Sequence, residues 1–387
     1  MGGIPRGGVG GRLGLSWSIP PAIKAVSLLF VTAILANACT REPVLKIGVI
    51  AYAYDKRYDI EGFSTDKAAQ LAARDIDSHA AIRVVLDTLY VSEAPEESVD
   101  AVRYLANRKG VAAIVGPSMS KQAIPSGEAA ERARILLISS VSSNPDTTKG
   151  RSWVFRMCYL DPVQASAQVR FALDTLGANS FSLVYFESDP SSAAQTATIE
   201  SELAARSRAL RVALPLAPDD PSFAATIARS GPWRDEVVFL PDSNDFSVKA
   251  AAALRAAGFR GVFIGGDGWD RERVRANPDF EGSYMTTNYW SGQTSPGNAA
   301  FVAAYTAFAG RSPGDTAALT YDAIGMLAVA ALRTGRVDSE GLRKGLLDGV
   351  AYQGISGAID FHGSGDPIRE LVFLKFSRGE ILFGGMK

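Results

Sequence analysis

Cysteine and histidine are nearly missing from this 387-residue chain: two cysteines, Cys39 and Cys158, and two histidines, His79 and His362. So few sulfurs exclude a disulfide-stapled scaffold, and the hydrophobic core alone must hold the fold. The histidines are far apart, with no Cys/His cluster and no HExxH spacing, so no metal and no cofactor are expected. Charge of one sign is also lacking. Forty Lys and Arg stand against forty-one Asp and Glu, a net charge of -1. There is no basic footprint for nucleic acid and no acidic block for disorder. A hydrophobic run long enough for a bilayer is absent too. The longest, Ala25 to Ala36, covers twelve residues, whereas a spanning helix needs about twenty.

What is present begins with that short run. It follows Arg6, Arg12 and Lys24 and ends in Ala36-Asn37-Ala38-Cys39, the basic, apolar and small-residue order of a secretory signal over residues 1–38. The tetrapeptide resembles a bacterial lipobox, which implies export with a lipid anchor on Cys39. The glycines Gly7, Gly8, Gly10, Gly11 and Gly14 follow no strand and open no helix of the mature chain, so they are not a nucleotide loop.

Nearly 350 residues remain, more than single cores usually serve, so two lobes are expected. Short β-branched runs alternate with Ala-rich stretches of helical period, the pattern of an α/β protein with parallel sheets. Strands are expected at 45–51, 83–89, 112–115, 135–139, 180–185, 237–240 and 262–264. Helices are expected at 65–77, 162–176, 191–208, 246–257, 299–309 and 317–334. Gly177, Gly258, Gly310 and Gly335 follow four of these as stop signals.

In parallel sheets ligands bind beyond the carboxyl ends of strands, which singles out three loops. Gly116-Pro117-Ser118-Met119-Ser120 enters a helix near Gln122, so its hydroxyls and free N–H groups would converge as an anion receptor; Ser118 or Ser120 could equally be an ordinary N-cap. Ser139 to Pro145 holds four serines, among them Ser142 and Ser143, and offers uncharged hydrogen bonding or a plain turn. Gly265 to Asp270 brings backbone close and presents Asp267, a counter-ion for an ammonium group or else a helix cap. An enzyme is not expected. No G-x-S-x-G elbow is present, neither histidine follows one of these strand ends, and carboxylate pairs can be drawn from any chain with forty-one acids.

Taken in order, Lys46-Ile47-Gly48-Val49-Ile50, the Val-Gly-Pro-x-x-Ser and Ile-Ser-x-x-x-Ser loops, Val154-Phe155-Arg156 and the Gly-Gly-Asp-Gly-Trp-Asp turn resemble the leucine/isoleucine/valine-binding family of ABC-importer substrate-binding proteins. Ala317 to Ala323 and Ile355 to Phe361 continue the likeness, which covers about residues 44 to 380. The resemblance implies two doubly wound parallel-sheet lobes joined by a three-crossover hinge. Lobe one would be 44–160 plus 290–355, and lobe two 161–289 plus 356–387. It implies a small ligand, an amino acid or derivative, captured between the lobes and passed to an ABC permease. Ser120 and Ser143 would take the ligand carboxylate, with Ser142 beside them. The Val141 carbonyl and Asp267 would take the ammonium group, and Tyr289 would add aromatic surface.

Two departures bear on the pocket. The family's Tyr-Gly falls near Pro190-Ser191, and Glu61 and Ser243 stand where aromatics are usual. A more polar pocket is one outcome; Glu61 facing solvent at the cleft rim is the other. An accessory or sensory lipoprotein using the same cleft for signalling or protein interaction is the rival function.

Overall fold

The computed structural model describes residues 42–52, 65–241, 244–269 and 271–386. Cys39, Glu61 and Ser243 lie outside the described residues.

The first sheet is parallel, with strands β1 (Val44–Tyr52), β2 (Arg83–Val91), β3 (Val111–Val115), β4 (Leu136–Ser139) and β5 (Val154–Arg156) in the order β2-β1-β3-β4-β5. Between them run α1 (Thr65–His79), α2 (Pro95–Ala106) and α3 (Ser120–Ala133). β1 is apolar on both faces because helices cover both. Ile47 and Val49 pack toward α1, while Ile50 packs toward α2 and α3.

The second sheet follows α4 (Asp161–Arg170), which runs into a π turn at Phe171–Thr175. Its strands β6 (Phe181–Tyr185), β7 (Leu210–Pro215), β8 (Val237–Leu240), β9 (Val262–Gly265) and β10 (Tyr284–Thr287) are parallel. Helices α5 (Pro190–Ala205), α6 (Phe223–Ser230), α7 (Asn244–Ala256) and α8 (Arg271–Arg275) connect them. In β8, Val238 and Leu240 face the α6 and α7 side while Val237 and Phe239 face α4 and α5, as the two-residue period of a strand requires.

The chain then returns to the first lobe as α9 (Asn298–Ala309), α10 (Asp315–Thr334) and α11 (Ser339–Leu346). Two short strands, β11 (Tyr352–Gly354) and β12 (Gly357–Ile359), form a hairpin. Finally β13 (Val372–Ser377) and β14 (Glu380–Met386) join the second sheet in the order β14-β13-β10-β9-β8-β6-β7. Both pair antiparallel with their neighbours, an edge added to a sheet whose other five strands are parallel. A hairpin needs no crossover helix, so the last strand can close the edge within the few residues left.

The lobes are therefore joined by three passages: after β5, after β10 and ahead of β13. Strand order reverses beside β1 in the first sheet and beside β6 in the second, which opens a crevice at the carboxyl ends of the strands.

Candidate functional site

The first loop leaves β3 at Gly116, whose φ is +96°. A Cβ there would lie 2.3 Å from the Ile50 carbonyl oxygen, so only glycine lets β3 turn this close to β1. Ser118 is fully buried, with its hydroxyl 3.4 Å from Thr65 Oγ1, and so belongs to the scaffold. Helix α3 starts at Ser120 behind Met119, which provides no side-chain cap. The Tyr52 hydroxyl accepts the Met119 N–H at 3.3 Å and donates to Gln122 Oε1 at 3.3 Å.

Ser120 is half-buried and accepts the Ser142 hydroxyl proton at 3.0 Å. Ser142 has one proton, so in its 2.6 Å contact with Thr147 the threonine must donate. The relay Thr147 to Ser142 to Ser120 leaves the Ser120 proton unspent by these contacts. Ser142 is buried and acts through Ser120. Val141 is half-buried beside it.

One side chain to which the motif reading gave no role fixes this second loop. Arg156, fully buried at the end of β5, donates to Ser142 O at 2.5 Å, Asn144 O at 2.9 Å and Thr148 Oγ1 at 2.7 Å, and pairs with Asp366 Oδ1 at 2.7 Å. An arginine with its donors fully used is a rigid brace. Ser143 is 8% exposed, and its carbonyl accepts the Asp161 N–H at 3.0 Å. Burial raises the Asp161 carboxyl to about 6, while hydrogen bonding from Ser143 and Ser191 pulls it down.

From the second lobe, β9 ends in Gly265-Gly266-Asp267. Trp269 folds back so closely that a Cβ on Gly265 would lie 2.1 Å from its ring, and one on Gly266 would lie 2.9 Å from the Gln164 amide. Gln164 Oε1 accepts the Asp267 N–H at 3.2 Å, the Tyr159 hydroxyl at 2.9 Å and the Thr286 hydroxyl at 2.6 Å. The Asp267 carboxylate takes a 3.1 Å bond from Asn288 Nδ2 and has no cationic partner among the described residues. Desolvation, then repulsion from Asp315 and Asp161, raises it to about 7 although part of its surface stays exposed. Asp161 links the two sides: it binds the backbone of Ser143 and lies close enough to Asp267 to repel it.

Tyr289 is fully buried, its hydroxyl donates to Asn298 Oδ1 at 2.7 Å, and its ring meets Phe301 edge-on, so it packs against α9.

Beneath the site, charged groups hold the three passages. Arg369 donates to Met157 O at 2.5 Å, Asn288 O at 2.9 Å and Ser356 O at 3.1 Å, one carbonyl from each passage. On α10, Asp315 and Asp322 stand seven residues apart and so share a face. Asp315 accepts from Thr287 Oγ1 at 2.7 Å and Asn288 N at 2.8 Å and pairs with Arg271 of the second lobe. Asp322 accepts the Ile355 and Ser356 N–H groups, both at 2.9 Å. Asp322 lies within the Ala317 to Ala323 motif, but no local motif marks Asp315 or Arg369.

The family model of periplasmic binding proteins matches residues 45–380, and the chain belongs to that family. Its members bind solutes outside the cytoplasm and are not enzymes. Among curated relatives, the Leu/Ile/Val-binding protein BraC3 of Rhizobium johnstonii is 25% identical over 329 residues, 83% of this chain and 89% of the relative. The leucine binding protein LivK of Thermotoga maritima superposes with a TM-score of 0.77 at 23% identity, covering 88% of this chain and 98% of that one. LivJ of Streptococcus pneumoniae, a branched-chain amino acid transporter substrate binding protein solved with isoleucine, gives 0.77 at 19% identity over 89% and 99%. The architecture is the type I periplasmic binding protein fold.

Proposed function

We propose that this protein captures an α-amino acid or close derivative between its lobes and delivers it to an ABC permease. Ser120 and Ser143, with the start of α3, receive the carboxylate; Asp267 and the Val141 carbonyl receive the ammonium group. The lobes that close are 44–160 plus 290–355 and 161–289 plus 356–387, hinged at the three passages. The observation that carries this reading is Asp267: a carboxylate without a cation among the described residues, raised by burial, at the mouth of a crevice whose opposite lip is a hydroxyl relay. Supplying an ammonium group there would replace a costly unpaired charge with a paired one. Glu61 and Ser243 would make the side-chain pocket more polar than one built for leucine.

The test is a thermal-shift panel of the twenty standard L-amino acids on the chain from residue 40 onward. A ligand at a hundred times its dissociation constant adds about 2.7 kcal/mol. The expected result is a shift by one or a few amino acids that disappears in Asp267→Ala. A shift of equal size in the variant would refute the role of Asp267. A panel that leaves the wild type unmoved would refute a standard amino acid as the ligand.

A lipid on Cys39 would keep the protein at the membrane beside its permease. Detergent partitioning of the exported protein tests it, since Cys39→Ala should move the protein to the aqueous phase; partitioning that Cys39→Ala leaves unaltered would refute the anchor.

A further inference from the structure

Asn288 follows β10 on the second passage and is 1% exposed. Each of its four polar groups is bonded, and each to a different part of the molecule. Its N–H donates to Asp315 Oδ2 at 2.8 Å, at the start of α10 in the first lobe. Its carbonyl accepts Arg369 Nη2 at 2.9 Å, from the third passage. Its side-chain Oδ1 accepts the Tyr159 N–H at 3.2 Å, from the first passage. Its Nδ2 donates to Asp267 Oδ2 at 3.1 Å, in the second lobe.

The amide has no freedom to turn. A backbone N–H can only donate, so Tyr159 fixes the oxygen on its side and sends the NH2 toward Asp267. We infer that Asn288 is a positioning residue: it anchors one oxygen of the Asp267 carboxylate, so that the other is presented to a ligand's ammonium group, and it ties that carboxylate to the hinge. The inference rests on the reading of Asp267 as the ammonium partner.

The surroundings make the anchor matter. Asp315, Asp161, Tyr159 and Cys158 face Asp267 from α10, α4 and the first passage, and each acid among them disfavours its charge. Gln164 holds the Asp267 backbone through its oxygen, and a hydrogen bond from its side chain also lowers the Asp267 carboxyl against that repulsion. The Asn288 NH2 is the donor that ties Oδ2 to the hinge, and a donor favours the ionised form that an ammonium group needs. Without it Oδ2 loses that tie.

The experiment uses wild type, Asn288→Ala, Asn288→Asp and Asp267→Asn, each as the chain from residue 40 onward. Binding of the twenty standard L-amino acids is measured by calorimetry across pH. The Asp267 carboxyl is titrated by 13C NMR without ligand. Asn288→Asp keeps shape and the acceptor for Tyr159, so it guards against misfolding in the alanine variant, and it sets a second acid against Asp267 to form a coupled pair.

The expected result is binding about ten- to hundredfold weaker in Asn288→Ala, the usual cost of removing a hydrogen bond to a charged group. The Asp267 titration should move upward in Asn288→Ala, and the aspartate variant should show a two-step titration whose upper step lies above the wild-type midpoint. A wild-type Asp267 midpoint in both variants would overturn the inference. If Asp267→Asn abolishes binding while Asn288→Ala binds as wild type, the inference falls and the reading of Asp267 stands. If Asp267→Asn itself binds as wild type, both fall. A merely structural Asn288 would lower the melting temperature without moving the carboxyl titration.

Discussion

Replacing Arg369 by leucine should cost about as much stability as a large apolar truncation in either core. The guanidinium serves the Met157, Asn288 and Ser356 carbonyls at 2.5, 2.9 and 3.1 Å. Leucine fills part of the volume but donates nothing, and each orphaned buried acceptor costs about 1–3 kcal/mol. The positive charge also goes. Asp322, raised by burial to about 6 and pulled down in part by Arg369, would lose a nearby opposing charge that favours its ionised form. Some relaxation of the passages toward solvent is expected, so the lower end applies, and the three acceptors alone give about 3 kcal/mol out of the ~5–15 kcal/mol of a whole protein. The assay is urea unfolding followed by tryptophan fluorescence. Trp153 reports on the first lobe, and Trp233 and Trp269 on the second, because all three are buried in their own lobes. Single-tryptophan versions of wild type should give coincident transitions. In Arg369→Leu the midpoint should fall and the transitions should separate, since the group removed touches every passage between the lobes. Arg369→Lys, a point charge without the planar fork, should fall between the two. A leucine variant within 1 kcal/mol of wild type, with transitions still coincident, would refute the reasoning.

Stability and ligand binding should respond to pH in opposite directions. Asp161, Asp267 and Asp322 titrate at about 6, 7 and 6 when folded, against 3.8 for an ordinary aspartate, so between these values the folded chain holds more protons than the unfolded one. By linkage the unliganded protein gains stability as pH falls from about 7 toward about 4, and its melting temperature should rise over that range; a steady fall would contradict the assignment. Amino-acid affinity should weaken over the same range, because the ammonium group needs Asp267 ionised. The depressed carboxyls of Glu97, Glu202, Asp220 and Asp338 act below this window, where their stabilisation is lost as they take protons. At the first loop, Gly116→Ala would put a Cβ 2.3 Å from Ile50 O at a φ of +96°. It should cost about 2 kcal/mol or more by backbone strain alone and lower the affinity, which thermal melts and calorimetry would read together; unchanged values in both would show that the loop yields.

The first sheet is legible because a parallel strand buried on both faces is apolar throughout, and Ile47-Gly48-Val49-Ile50 or Ile135 to Ser139 can hardly be anything else. The stops at Gly177, Gly258, Gly310 and Gly335 are legible for a local reason as well: φ there is +65°, +96°, +79° and +66°, values that glycine reaches at least cost. β5 is three residues long, too short for periodicity, and β7 alternates exposed with half-buried residues at an open edge. β14 carries Gly384 and Gly385, which weaken any strand signal. The site follows the same division. Ser120, Ser143 and Asp267 stand in Gly/Ser-rich loops after apolar strands, a local pattern.

The groups that make those loops rigid are illegible because their partners are remote: Arg156 and Asp366 are 210 residues apart, and Arg369 and Met157 are 212 apart. In sequence a buried arginine looks like any solvated one. Only the topology, which brings three passages to one place, turns isolated charges into a lattice, and the lattice has a consequence for capture. Its bonds lie along the hinge, with Asn288 and Arg369 touching all three passages. Rotation about such a point can leave these bonds made while the Ser120 relay and the Asp267 carboxylate change separation. The energy of closure would then be decided at the lips of the cleft, by the ligand's own carboxylate and ammonium groups, rather than consumed in rebuilding the hinge.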